Sequence, residues 1–193
     1  MVGKQNFDIQ MTNIIKNLTH RPQLLLHSCC GPCSTACLER LIPHFEVTVF
    51  YYNPNIMPLE EYEKRLQAQK RVCDFFGVRL LEIGWDNDVY MPAIKGLESC
   101  SEGGQRCTVC FDLRLNKTAT EAKNGYFEYF TTTLTVSPHK NEQIINKIGL
   151  DISQKTGVKF LPSDFKKKNG FKRSIELSNE LGLYRQTYCG CQL

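Results

Sequence analysis

Apolar positions along the chain recur in two rhythms that take turns. Residues 23–27 form a short apolar run ending in Ser28-Cys29-Cys30-Gly31-Pro32, and 33–42 then carries apolar residues at helical spacing. The opening unit reads as strand, loop, helix. Residues 47–52 are β-branched and aromatic and stop at Asn53-Pro54-Asn55. A helix is predicted next over 59–76, with Tyr62, Leu66, Val72, Cys73 and Phe76 on one face and Gly77 as its stop. A third strand is predicted over 78–83. The stretch 84–106, rich in Gly, Asp and Ser, reads as a functional loop region with a short helix around 89–96. The pattern continues as helix 108–123, strand 126–132, helix 140–156 with Ile144, Ile145, Ile148 and Ile152 inward, strand 158–161 and helix 173–181. This alternation predicts an α/β fold with a mostly parallel sheet and helices on both faces, and such sheets gather ligands at the carboxyl ends of their strands.

The 193 residues, 41% hydrophobic and 23% charged, suit a single domain spanning 1–193; no repeat or linker divides them. No apolar run approaches the roughly 20 residues that cross a bilayer. Residues 1–19 mix Lys4, Asp8 and Lys16 among apolar positions and lack the signal-peptide pattern, so the expected location is cytoplasmic. A net charge of +4 permits an anionic partner without requiring one.

Ten cysteines in a reducing compartment point to metal or redox chemistry rather than a disulfide scaffold. Cys29 and Cys30 lie just beyond the first strand, and Cys107 and Cys110 form a CxxC where a later helix begins. A helix amino end favours thiolate, and two such pairs meeting in space would offer four sulfurs to a tetrahedral zinc or to an iron–sulfur cluster. Spacing leaves both open. Cys33 could add a ligand beside the main site. Cys189-Gly190-Cys191 could close only a very small, easily reduced ring, which suggests a redox pair; extra metal ligands or an incidental tail are the alternatives. Cys73 and Cys37 read as small core residues, and Cys100 has no reading.

The first loop is no Gly-rich phosphate cradle, and Pro32 removes a donor from it, which disfavours ATP binding. Lys166, Lys167, Lys168, Lys172 and Arg173, with Tyr184-Arg185-Gln186-Thr187-Tyr188, would suit phosphates and an unstacked base, or would be a solvated helix face with a packed Tyr. His27 reads as a hydrogen-bonded interior histidine, while His139 is better placed for substrate. Thr131, Thr132 and Thr133 could bind an anion or cap a turn. Asp112 could be an oxygen ligand or an acid, or simply satisfy the charge preference of a helix start.

Several long motifs in order resemble the QueH family of epoxyqueuosine reductases: Cys29-Cys30-Gly31-Pro32-Cys33; residues 50–56 with Glu61-Tyr62 and Arg65; Cys107-Thr108-Val109-Cys110-Phe111 with Arg114-Leu115. Thr131-Thr132-Thr133-Leu134, Ser137-Pro138, Asp164-Phe165-Lys166-Lys167 and residues 184–191 extend the likeness over nearly the whole chain. The resemblance implies a Rossmann-like sheet of the PP-loop (HUP-like) type without its ATP chemistry. It also implies cobalamin-independent reduction of epoxyqueuosine at the wobble base of tRNA, the last step of queuosine synthesis. Carried over by position, Cys29, Cys30, Cys107 and Cys110 would hold a [4Fe-4S] cluster and Cys189 with Cys191 would be the redox-active disulfide pair. A single iron beside the cluster is also implied, with Cys33 as the candidate extra ligand, and an electron donor is required. Docking of the tRNA is expected through residues 166–168, Arg173 and Arg185. The competing readings are a noncatalytic zinc-stabilised RNA-binding module and a PP-loop-type tRNA sulfurtransferase; the latter would need ATP and a Ser/Gly-rich first loop.

Overall fold

The apolar run at residues 23–27 becomes the central strand of the sheet. A computed structural model describes residues 5–191. Its elements run α1 (Phe7–Lys16), β1 (Gln23–Ser28), α2 (Gly31–Leu41), β2 (Glu46–Tyr51), α3 (Leu59–Phe76), β3 (Arg79–Glu82) and a short α4 (Tyr90–Ala93). They continue as α5 (Gln105–Asn124), β4 (Tyr129–Thr132), α6 (Glu142–Thr156), β5 (Lys159–Phe160) and α7 (Gly170–Glu180). The strands are all parallel, in the order β3-β2-β1-β4-β5.

β1 is buried from Leu24 to Ser28, with three consecutive leucines at its centre, because both its faces are covered. Leu24 and Leu26 pack with Met11, Leu38, Val72 and Phe165 on one face, and Leu25 packs with Phe111, Leu115, Phe130 and Ile145 on the other. Each such leucine contributes about 1.5–3 kcal/mol by leaving water. Helices therefore cover both faces, as the alternation predicts.

The strand order reverses at β1, which has β2 on one side and β4 on the other, so a crevice opens between the carboxyl ends of β1 and β4. Cys29 follows β1 there and Thr133 follows β4; the Cys29 amide donates to Thr133 Oγ1 at 3.2 Å. Helix α2 starts two residues earlier than the periodicity predicts, with Cys30 as its N-cap and Pro32 in the first turn, where a missing N–H costs nothing. Gly31 permits this: a Cβ would sit 2.6 Å from the Ala68 carbonyl oxygen on α3.

Other ends shift for equally local reasons. Helix α5 begins at Gln105, which puts Cys107 inside its first turn. The strand predicted from 126 begins at Tyr129, because Phe127 N–H returns to Ala122 O and Tyr126 is left-handed at φ 58° while α5 closes. The sequence reading placed no helix before β1, yet α1 forms, capped by Asn6 Oδ1 on Ile9 N–H and burying Phe7 and Met11. Among the described residues no helix is long and apolar enough to cross a membrane.

Candidate metal and thiol site

The sharp exit from β1 into α2 gathers three sulfurs. The ligand atoms of Cys29, Cys30 and Cys33 all lie within 4.8 Å of one another, with Cys29 and Cys30 Sγ 3.8 Å apart. Cys30 is buried; Cys29 and Cys33 are half-buried. The three thiols differ sharply in acidity. Hydrogen bonds from Cys30 and Cys33, with Lys140 and Arg114 facing it, hold the Cys29 thiol well below its ordinary pKa, despite burial. The same contact with Cys29 pushes Cys30 up to about 12 and Cys33 well up as well. Ser28 anchors the turn, donating to Gln69 Oε1 at 2.6 Å and accepting Asn53 Nδ2 on its carbonyl at 2.9 Å.

Helix α5 brings Cys107, Cys110 and Arg114 onto one buried face. Gly103 N–H points at Cys107 Sγ at 3.2 Å, and Arg114 Nη1 at Cys110 Sγ at 3.8 Å. Burial pushes the Cys110 thiol up, against the pull of Arg114. Arg114 is 2% exposed; it donates from Nε to His27 Nε2 at 3.2 Å and from Nη2 to Asn53 Oδ1 at 2.5 Å. No carboxylate is among these partners. The negative groups facing this buried guanidinium are the sulfurs of Cys110, Cys29 and Cys189, and they hold its pKa up against desolvation.

The tail supplies Cys189, half-buried, and Cys191, buried. A hydrogen bond from Cys191 brings Cys189 down to about 6 against burial, with Lys140 and Arg114 assisting, and the same contact raises Cys191 strongly. All ten cysteines are free, so the disulfide implied for Cys189 and Cys191 is not formed: the structure is that of the reduced pair.

Two adjoining cavities connect these groups. One, of about 430 Å³, is lined by Cys29, Cys33, Asn55, Arg65, Arg185 and Cys189, among others. The other, a void of about 20 Å³, is bounded by Cys107, Cys110, Cys189 and Cys191. Glu102, Arg114, His139, Lys140 and Cys189 border both. A larger groove of about 600 Å³ lies at the other end of the sheet, by Arg21, Gln23, Glu46 and Arg79, and has no cysteine in its wall.

Of the residues singled out in the sequence, Cys29, Cys30 and Cys33 come together, while Cys107 and Cys110 sit at the second cavity beside Cys189 and Cys191. Cys37 and Cys73 are core residues, as read, and His27 is a fully buried histidine whose pKa burial lowers to about 3. Its Nδ1 is 2.8 Å from Thr132 Oγ1. Thr131 is spent on Leu161 O, and only Thr133 reaches a sulfur, 3.5 Å from Cys29. His139 borders both cavities; Asp112 is exposed and borders neither.

The basic run behaves differently from the expectation. Lys166 pairs with Glu142 and Asp164, Lys168 with Asp8 at 3.9 Å, and Arg173 with Glu39 at 2.8 Å. Only Arg185 of the expected docking cations lines the cavity. Lys140, Arg114 and Arg65 carried no such reading from charge or spacing, because none lies in a basic run and the fold alone brings them to the site.

Residues 24–193 match the family model described as "Epoxyqueuosine reductase QueH". A protein of that name from Streptococcus pyogenes serotype M1 is 44% identical over 188 residues, covering 94% of this chain and 74% of the relative. Its namesake from Staphylococcus epidermidis is 41% identical, covering 97% and 84%, and that from Thermotoga maritima 39%, covering 87% and 88%. Among solved structures, the U34-tRNA thiolase NcsA from Methanococcus maripaludis, determined with its [4Fe-4S] cluster, superimposes with a TM-score of 0.60 at 13% identity. That match covers 97% of this chain and 67% of the thiolase, and it shows a shared fold. With the family match running from the first strand to the last residue, the chain belongs to the QueH family of epoxyqueuosine reductases.

Proposed function

We propose that this protein is the oxidoreductase that converts epoxyqueuosine to queuosine in tRNA, using the cavity between Cys29 and Cys189. The observation that carries the reading is that Cys29 and Cys33 of the three-thiol cluster and Cys189 of the tail pair line one cavity of about 430 Å³, together with Lys140 and Arg114. That volume suits a small ligand, and a nucleotide turned out of its stack could present its epoxide there.

The reaction breaks both epoxide C–O bonds, forms a C=C bond and releases the oxygen as water, consuming two electrons and two protons. Oxidation of Cys189 and Cys191 to a disulfide supplies two electrons, and an external dithiol reductant restores the pair. Cys189 is the thiolate at physiological pH, Cys191 Sγ keeps its proton, and Lys140 Nζ is assigned to protonating the departing oxygen.

The donor set fits an iron–sulfur group: Cys29, Cys30 and Cys33 gather as soft ligands, Cys107 and Cys110 offer further thiols, and buried Arg114 faces sulfur where a carboxylate would otherwise be needed. When bound, a cluster of the [4Fe-4S] type, with or without a neighbouring iron, would supply electron transfer and Lewis acidity. Protein purified without oxygen should contain iron and acid-labile sulfide and convert epoxyqueuosine tRNA, read by nucleoside mass spectrometry. Cys29→Ser should lose iron and activity together. Zinc alone, without sulfide after anaerobic reconstitution and without conversion, would overturn the reading.

A further inference from the structure

Glu61 and Arg65 belong to none of the thiol groups, yet they are charged, buried and joined to the tail. One turn apart on α3, they form an ion pair of 2.6 Å between Glu61 Oε1 and Arg65 Nε, with side chains 6% and 3% exposed. Arg65 then turns its remaining nitrogens to the tail backbone: Nη1 donates to Cys189 O at 3.0 Å and Nη2 to Tyr188 O at 3.3 Å. The guanidinium also lies over the Tyr188 ring, 5.2 Å from its centroid. Tyr184 donates its hydroxyl to Glu61 Oε2 at 2.9 Å, and Met57 N–H donates to Gly190 O at 2.9 Å. The turn is shaped to this clamp. Gly190 has φ 86°, and a Cβ there would stand 2.8 Å from Arg65 Nη2. An exposed pair at this spacing stabilises a helix only slightly. This pair instead gives up water and directs its spare donors to residues more than 120 positions away.

We propose that Glu61 and Arg65 are positioning residues for the Cys189-Gly190-Cys191 turn, holding the two thiols at closing distance so that dithiol and disulfide interconvert on a fixed backbone. The inference rests on the reading of Cys189 and Cys191 as the electron-supplying dithiol. Closing the S–S bond releases two electrons and the Cys191 proton, Lys140 Nζ supplies the second proton, and the epoxide becomes alkene and water; an external dithiol reverses the closure. A held turn raises the effective concentration of one thiol at the other, so it favours the disulfide.

The test equilibrates the anaerobically purified, iron-loaded protein against dithiothreitol buffers of set oxidised-to-reduced ratio, then quenches in acid and alkylates. Trypsin cleavage after Arg185 releases 186–193, which holds Cys189 and Cys191 and no other cysteine. Arg65→Gln should lower the disulfide-to-dithiol constant about tenfold, a rise in potential of about 30 mV, and slow multiple turnover in step. Arg65→Lys keeps the charge without the fork and should resemble Arg65→Gln; wild-type behaviour in the lysine variant would overturn the clamp. Tyr188→Leu, at a side chain the surface tolerates, should shift the constant the same way by about threefold, and it decides the matter should Arg65 variants fail to fold. An unchanged constant in Tyr188→Leu and in any folded Arg65→Gln would overturn the inference. Cys189→Ser separates the two ideas. Full multiple turnover in that variant would remove the dithiol reading itself, whereas its loss beside unaltered Arg65 variants would remove the clamp alone.

Discussion

Arg114 shows what one side chain can organise when it is buried without a carboxylate. Its Nε and Nη2 are taken by neutral His27 and Asn53, and its charge faces the sulfurs of Cys110, Cys29 and Cys189. Each of those contacts uses a different edge of the guanidinium, which a lysine ammonium cannot reproduce. Arg114→Lys should therefore leave Asn53 Oδ1 or the His27 ring unmatched and cost about 1.5–3 kcal/mol, seen as a lower guanidinium midpoint with an unchanged m value. Sequence patterning reveals only that residue 114 lies one turn beyond Cys110. That the arginine is buried, and that the group it faces comes from another strand and from the tail, depends on pairings across more than 60 residues that no spacing encodes.

Elements were legible where their cause is local and obscure where it is not. β1 reads directly because a central parallel strand must be apolar on both faces, and α3 because its one-sided stripe is long and closed by Gly77. The start of α2 does not read directly, since it depends on Gly31 letting the helix meet α3. Gly31→Ala should force the Ala68 carbonyl away, lower the melting temperature and reduce iron retention, because the same turn gathers Cys29, Cys30 and Cys33. Helix α3 also carries the clamp. Burial opposes the charge on Glu61, yet Arg65 and Tyr184 hold its pKa below the ordinary 4.5. A folded pKa below the unfolded one means that the unfolded chain binds the proton first, so this stabilisation is complete above about pH 4.5 and is lost as pH falls below it. Urea unfolding at pH 7 and at successively lower pH should show that loss in the wild type. Glu61→Gln, which removes one partner of a buried pair, should be less stable by about 3 kcal/mol at pH 7 and should lack that component of the acid slope.

At the scale of the whole molecule, the question is where a polyanion would meet a protein whose net charge is only +4. The lysine run at 166–168 is the natural expectation, but Asp164 close by in the chain, with Asp8 and Glu142 from farther away, sits against Lys166 and Lys168, and Glu39 holds Arg173. A cation already paired releases few counterions when a phosphate arrives, so it adds little to affinity or to its salt dependence. Two of the cations that border the cavity face sulfur or backbone: Lys140 beside Cys29 and Cys189, and Arg185, which rests on the Phe171 ring and donates to Ser174 O. With Lys140 directed at the departing oxygen, Arg185 is the one of these two left for a phosphate flanking an inserted nucleotide. Arg185→Met should weaken tRNA binding about tenfold and lower the slope of log K against log salt by roughly 0.7–0.9. Lys166→Met should leave that slope unchanged and lose stability instead, because it removes the ammonium that pairs with Asp164 at 3.1 Å. Fluorescence anisotropy with a labelled anticodon stem-loop across a salt series separates the two faces: a slope that falls with Lys166→Met and holds with Arg185→Met would return the docking surface to the lysine run.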